Sequence, residues 1–258
     1  MVEISLAAGY LDVRTGLMTH RVHDAASRRR DYAANTFSLI DSEDFARDSR
    51  QLDNRSFGYK AVKRVFDLLV STLVIVIGAG PGLLLTFFIW RSTGGSPIYS
   101  QTRVGLYGKR FRIYKFRTMV ADSDNIEKYF TPEQLEVWKR ERKVDHDPRI
   151  TRLGRFLRAT SVDELPNFIN VFLGQMSTVG PRAIAVDELQ WFGGYAPELV
   201  SVTPGITGWW QVTDRNEAMY DTGARQEREL HYVRNASIWM DCMIIVRTAK
   251  TIVRCTGR

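Results

Sequence analysis

Residues Phe66–Trp90 read FDLLVSTLVIVIGAGPGLLLTFFIW, 25 residues that contain a single charge, Asp67. At 1.5 Å per helical residue such a run reaches across a hydrocarbon core of about 30 Å. Helices buried in a soluble core seldom stay apolar on every side for so long, so the run reads as a membrane segment. Its centre is Gly78-Ala79-Gly80-Pro81-Gly82. Proline removes a backbone hydrogen bond and the glycines weaken helix propensity, so a sharp bend is expected there. Both flanks are basic, with Lys60, Lys63 and Arg64 before the run and Arg91, Arg103, Lys109 and Arg110 after it. A spanning helix usually carries its Lys/Arg excess on the cytoplasmic side alone. The pattern favours a re-entrant helix hairpin, broken at Pro81 and embedded among membrane lipids, over a single span.

The 258-residue chain divides around this run. Residues 1–57 are polar and rich in Arg and Asp, without the basic start and long apolar stretch of a signal peptide, and read as a mobile N-terminal extension. Residues 58–95 form the membrane-embedded element. Residues 96–258 form a compact cytosolic domain, and the whole is expected to be α+β, predominantly helical, with a small β-hairpin. That hairpin joins PIYSQTRV and KRFRIYKFRTM through the turn GLYG. Thr131-Pro132-Glu133-Gln134 starts a helix, with a T-x-x-Q capping box and proline at its first position. VDHDPRITRLGRFLRAT reads as short extended pieces and turns, PNFINVFLGQM as a short helix ending near Gly174, and YAPELVSVTPGITGWWQV as loop. A last helix is expected from about Ala236 to Arg254. On it Asp241 falls in an apolar arc with Ile238, Cys242, Ile245, Ala249 and Ile252, opposite Arg247, Lys250 and Arg254. Such a carboxylate is either a buried salt-bridge partner or part of an active-site wall.

The excess of 36 Lys+Arg over 29 Asp+Glu gives a net charge of +7. That surface suits phosphate-bearing partners: nucleic acid, nucleotides or anionic lipid headgroups. Two cysteines, Cys242 and Cys255, exclude a disulfide framework. The four histidines show no zinc-binding spacing.

Four clusters carry potential chemistry. They are the basic hairpin (Arg103, Lys109, Arg110, Arg112, Lys115, Arg117), the run with Arg149, Arg152, Arg155 and Arg158, the pair Asp163-Glu164, and STVGPRA with Arg182. Each alone is explained by solvated charge. Gathered within about 80 residues next to a membrane segment, they describe a basic pocket around two carboxylates, the composition that phosphate chemistry needs. Ser161 and Glu164 in SVDELP also match a capping box. Pro166 argues against it, because proline prefers the first helical position and would start the helix after the carboxylates. Asp122-Ser123-Asp124 resembles a weak D-x-D metal motif. Trp209-Trp210 could stack a base, although tryptophan also anchors at membrane interfaces, which is the favoured reading.

On these residues the chain resembles the bacterial sugar transferases, monotopic phosphoglycosyl transferases that start exopolysaccharide assembly on polyprenyl phosphate. The resemblance runs through KRVFDLLVS, PIYSQTRVGLYGKRFRIYKFRTM, DPRITRLGRFLRATSVDELPNFINVFLGQMSTVGPR, PGITGWWQV and YVRNASIWMD, from Tyr59 to Arg258. It implies transfer of a phospho-sugar from a UDP-sugar to polyprenyl (undecaprenyl) phosphate with release of UMP, by a ping-pong mechanism assisted by Mg²⁺. Asp163 then corresponds to the nucleophile and Glu164 to the second carboxylate, serving metal or proton management, with Asp163 and Glu164 together the implied metal ligands. Arg158 and Arg182, with Lys115 and Arg117 of the hairpin, correspond to phosphate-binding positions, Asp241 to an acidic position of the closing motif, and Pro81 to the membrane break. The implied location is the bacterial inner membrane, catalytic domain on the cytoplasmic face, with no nucleic acid as partner and self-association left open. The chain departs from the family pattern at Gln175, Ala183, Gly80 and Asp214-Arg215-Asn216. Two other classes remain: a membrane-tethered basic module binding anionic lipid or nucleic acid, and a D-x-D glycosyltransferase using Asp122 and Asp124.

Overall fold

The computed structural model describes residues 32, 39–141, 144–213, 220 and 222–253. Asp214-Arg215-Asn216, Arg254, Cys255 and residues 1–31 lie outside them. Chain order begins with α1 (Glu43–Gln51), which Ser42 caps by accepting from the Phe45 N–H, and α2 (Phe57–Thr93), which Ser56 caps in the same way. Then come β1 (Ile98–Val104), β2 (Arg110–Phe116), α3 (Pro132–Glu141), α4 (Arg152–Ala159) and α5 (Asn167–Phe172). β3 (Ser177–Val179), α6 (Ala196–Leu199), β4 (Gly205–Thr207), α7 (Trp209–Thr213), α8 (Ala224–Asn235) and α9 (Ile238–Val253) complete the described elements. Helix dominates, in keeping with the α+β expectation.

The apolar run is the centre of α2, a 37-residue helix about 55 Å long that ends on Gly94 in the left-handed region. Only 6% of its most apolar window is buried, which a helix made for water would not survive. The interruption expected at Gly78–Gly82 is absent: helix is continuous through exposed Pro81. One missing hydrogen bond in the middle of an otherwise apolar helix does not end it. Both ends of α2 rest on the same domain. Near the start, Arg64 donates to the carbonyls of Val171 and Phe172, and Asp67, 4% exposed, accepts from the Thr178 N–H. Near the finish, Ile89 is fully buried with Phe116 and Leu157, and the Thr93 carbonyl accepts from the Ala121 N–H.

The hairpin forms as read. β1 and β2 are antiparallel from Ile98 opposite Phe116 to Val104 opposite Arg110, and Tyr107 and Gly108 turn the chain with positive φ. Thr131 and Gln134 form the reciprocal capping box ahead of α3. α5 starts just past Pro166, leaving Val162–Glu164 in a 3₁₀ turn entered through Ser161 at φ 58, whose side chain caps nothing. Sequence reading missed α4, whose Gly154 weakens helix propensity. That glycine is required by contact, because a Cβ there would lie 2.0 Å from the Thr118 carbonyl oxygen. The loop-rich region likewise hides a parallel pair, β3 with β4. Both Trp209 and Trp210 face inward, Arg247 stacking on one and Arg225 on the other, so neither serves as the interfacial anchor expected of them.

Residues 39–57 are not a mobile extension. Phe45 is fully buried in the largest core cluster, with Val104, Ile184, Leu189, Leu199 and Val233. Asp53 accepts from Arg55 and the Tyr107 hydroxyl and pairs with Lys60, tying this segment to the hairpin turn and to the first turn of α2. Phe45→Ala is therefore expected to lower stability by about 3–5 kcal/mol, the usual cost of truncating a buried aromatic, measured by denaturant unfolding in detergent. A midpoint unchanged from the parent would return the segment to the status of an appendage.

Candidate active site

Three segments meet at one cleft: β2 brings Lys115, the 3₁₀ turn brings Glu164, and the loop after β3 brings Arg182; Asp163, next to Glu164, and Arg158 of α4 are within electrostatic reach of them. The cleft is open to solvent and is lined by Lys115, Glu164, Asn167, Arg182 and Gln211 among others. Lys115 Nζ donates to Glu164 Oε1 at 2.6 Å. Asp163, by contrast, has no ion pair and no side-chain hydrogen bond to another residue among the described residues. Burial, and then the charge of adjacent Glu164, push its pKa up to about 6 against the pull of Lys115 and Arg158. The Arg158 Nε donates to Thr118 Oγ1 at 2.9 Å, which aims the guanidinium from the close-packed α4 toward Asp163.

Glycines hold the Arg182 loop against β4. A Cβ on Gly180 would lie 2.4 Å from the Thr203 carbonyl oxygen, and one on Gly205 would lie 2.0 Å from the Gly180 nitrogen. The Arg182 N–H donates to Glu229 Oε2, a carboxylate only 1% exposed whose pKa burial pushes up to about 7. Burial works against the Arg182 charge, yet Glu188 and Glu164 outweigh it and leave its pKa raised. Glu188 is itself fixed by Arg103 at 2.9 Å and by the Ala185 N–H.

The other predicted residues go elsewhere. Arg117 donates to the Ser96 carbonyl and lies over the Tyr99 ring, so the structure does not bring it to the pair. Arg110 pairs with Asp41, Arg112 with Ser100 and Arg149 with Asp147, which divides the basic strip instead of presenting one surface. Asp122 is taken by Lys128 and Tyr129. Asp241 is the buried salt-bridge partner of the two readings kept open for it: it pairs with Lys63 of α2 at 2.8 Å and accepts from Tyr59 and Tyr232. Asn167, Gln211, Glu188 and Glu229 escaped sequence reading, because nothing in their local spacing marks them as neighbours of the pair.

No group of three or more His, Cys, Asp or Glu capable of holding a metal exists among the described residues. The two adjacent carboxylates fit a different arrangement, that of a magnesium ion held by one or two carboxylates and completed by substrate phosphates and water.

Residues 58–255 match the family model described as "Bacterial sugar transferase". The chain belongs to this family. It is 41% identical over 199 residues to the undecaprenyl-phosphate galactose phosphotransferase of Salmonella typhimurium, covering 76% of this chain and 41% of that one. The exopolysaccharide production protein ExoY of Rhizobium meliloti is 36% identical over 198 residues, covering 76% and 87%. The UDP-glucose:undecaprenyl-phosphate glucose-1-phosphate transferase of Escherichia coli is 37% identical over 200 residues, covering 73% and 39%. The chain thus spans about two fifths of the first of these relatives. The family match starts just after residue 57, so the docked segment 39–57 lies outside it although its side chains complete the core.

The state of Asp163 has a consequence for stability. Its folded pKa of about 6 exceeds the ordinary 3.8, so between these values the folded chain binds a proton that the unfolded chain has released. Ionising Asp163 in the fold therefore costs stability that the chain keeps at low pH and loses as pH rises through 6. Asp163→Asn removes that cost and is expected to stabilise the sugar transferase by about 1–3 kcal/mol at pH 7.5 and by almost nothing at pH 3.5. Thermal unfolding at the two pH values checks this, and a variant less stable than the parent at pH 7.5 contradicts it.

Proposed function

We propose that this chain transfers a hexose 1-phosphate from a UDP-sugar to polyprenyl (undecaprenyl) phosphate, releasing UMP and starting assembly of an exopolysaccharide. The carrying observation is the unlike state of two neighbouring carboxylates. Glu164 is locked to Lys115, while Asp163 is desolvated and unpaired beside arginines that suit phosphate. The relatives' names supply the substrates, since they act on undecaprenyl phosphate with galactose or glucose.

In the first half-reaction an Asp163 oxygen attacks the phosphorus that bears the hexose. The bond from that phosphorus to the bridging oxygen breaks, its electron pair leaves with UMP, and an aspartyl phospho-hexose remains. In the second, an oxygen of the lipid phosphate attacks the same phosphorus. The acyl-phosphate bond breaks, the Asp163 carboxylate returns, and the lipid carries a diphospho-hexose. Attack needs a nucleophile with little water and no competing partner, which is the state of Asp163. Lys115, Arg158 and Arg182 offset charge on the non-bridging oxygens. Glu164, besides fixing Lys115, is the donor beside Asp163 for Mg²⁺, which when bound neutralises diphosphate charge. The paired state of the hairpin arginines removes the support for a basic binding module, and that of Asp122 the support for a D-x-D enzyme.

The two docked ends of α2 support a re-entrant course for it, although the helix is unbroken at Pro81. Lys63 and Arg64 near one end and Ile89 and Thr93 near the other all contact one domain, which lies on one side of the membrane, and the cytoplasmic side fits a UDP-sugar donor.

Two experiments test these readings. Asp163→Asn is expected to abolish UMP release from UDP-hexoses, at least a thousandfold, while the protein stays in the membrane fraction; substantial turnover by the variant sinks the proposal. The parent's rate should climb with pH through about 6 and level off above it, as the nucleophile ionises. Cysteines introduced near residues 50 and 120 should label from the same face of sealed vesicles. Labelling from opposite faces refutes the re-entrant course.

A further inference from the structure

The floor of the cleft carries hydrogen-bonding atoms that the chain itself leaves without partners. Asn167 is 2% exposed, and its Oδ1 is buried with no donor. Gln211 Oε1 is in the same condition. The orientation of Gln211 is fixed, since its Nε2 donates to the Ile206 carbonyl at 2.9 Å; turning the amide over would set oxygen against oxygen. Both residues line the cleft that Lys115, Glu164 and Arg182 share. Nε of Arg182 is unpartnered there as well. Buried polar groups are normally satisfied, and those left over at a cleft point to what fills it.

The kind of atom narrows the occupant. An ionised phosphate only accepts hydrogen bonds, so it satisfies Arg182 and Lys115 and leaves the two amide oxygens unanswered. They need donors. A hexose supplies several hydroxyls, each able to donate to an amide and accept from a guanidinium at once.

We propose that Asn167 and Gln211 are specificity-determining residues whose side-chain oxygens accept hydrogen bonds from hydroxyls of the hexose of the UDP-sugar. This assignment rests on the transferase reading above. It places sugar selection at the first residue of α5, three positions after Glu164, and in α7, two segments that β3 and β4 bring together.

The test uses the full chain in lipid nanodiscs with undecaprenyl phosphate and Mg²⁺, following UMP release from UDP-glucose, UDP-galactose and their 3-, 4- and 6-deoxy analogues. Gln211→Met and Asn167→Ala are expected to raise KM for the preferred UDP-hexose about tenfold, to change kcat much less, and to leave inhibition by UMP as it was. The parent should discriminate against one deoxy analogue by about tenfold, and the matching variant should lose that discrimination. Two results overturn the assignment: UMP inhibition weakening in step with KM, which would make the amides nucleotide contacts, or the parent-to-deoxy ratio staying the same in every variant, which would make them structural. If the parent turns over no UDP-hexose at all, the transferase reading itself fails and this assignment falls with it.

Discussion

An apolar helix with nine-tenths of its central surface bare can keep a charged side chain only where the domain beside it supplies a partner. In α2 three such charges lie within five residues near its start, and each has a definite recipient. Lys63 goes to Asp241 of α9, Arg64 to the last carbonyls of α5, and Asp67 to the Thr178 N–H of β3. The penalty for leaving any of them unpaired is large, because lipid offers no water to take the place of a missing partner. That constraint fixes where the domain sits against the helix. It also reaches the chemistry, since α5 follows directly on the Asp163-Glu164 turn and β3 leads straight into the Arg182 loop. Both halves of the cleft hang from the same two turns of the membrane helix.

Close backbone approach then sets the distances inside the cleft. Gly180 and Gly205 let the Arg182 loop lie on β4 with no side chain between them, and Gly154 lets α4 press on the Thr118 carbonyl. The second contact leaves the Thr118 hydroxyl where Arg158 can donate to it, which turns that guanidinium toward Asp163. Substituting these positions would move an arginine by the width of a methyl group, a displacement that phosphate contacts do not tolerate.

Features written in local spacing were legible in the sequence. The apolar run, the hairpin with its GLYG turn, the Thr131 capping box and the helix that begins behind Pro166 each follow from a few adjacent residues, and each is present. Features made by contact between distant segments were not. Gly154 reads as a helix breaker until Thr118 is seen against it. Polar residues 39–57 read as an extension because Phe45, alone among charges, gives no sign that a core awaits it. Asp241 remained ambiguous because its partner Lys63 lies 178 residues away. The site was half legible for the same reason. Asp163, Glu164 and Lys115 stand together, but Arg117 turns out to serve Ser96 and Tyr99, and the two floor amides carry no signature at all.

The unequal treatment of the two carboxylates decides which of them can do chemistry. Lys115 could have bridged both, and a fold selected for stability alone would gain from that, since a desolvated carboxylate with no partner is a net cost. Instead the 3₁₀ turn gives Glu164 the lysine and leaves Asp163 only the longer-range pull of Lys115 and Arg158, with its pKa raised. Ser161 makes this possible by adopting φ 58, a conformation that non-glycine residues seldom take and that reverses the chain just before the pair. Local strain at Ser161, a desolvated acid at Asp163 and unanswered amide oxygens on Asn167 and Gln211 fall within a few residues of Glu164 or in the cleft it lines. A structural ion-pair network would close such gaps; a site that waits for a phosphorylated sugar has to keep them open.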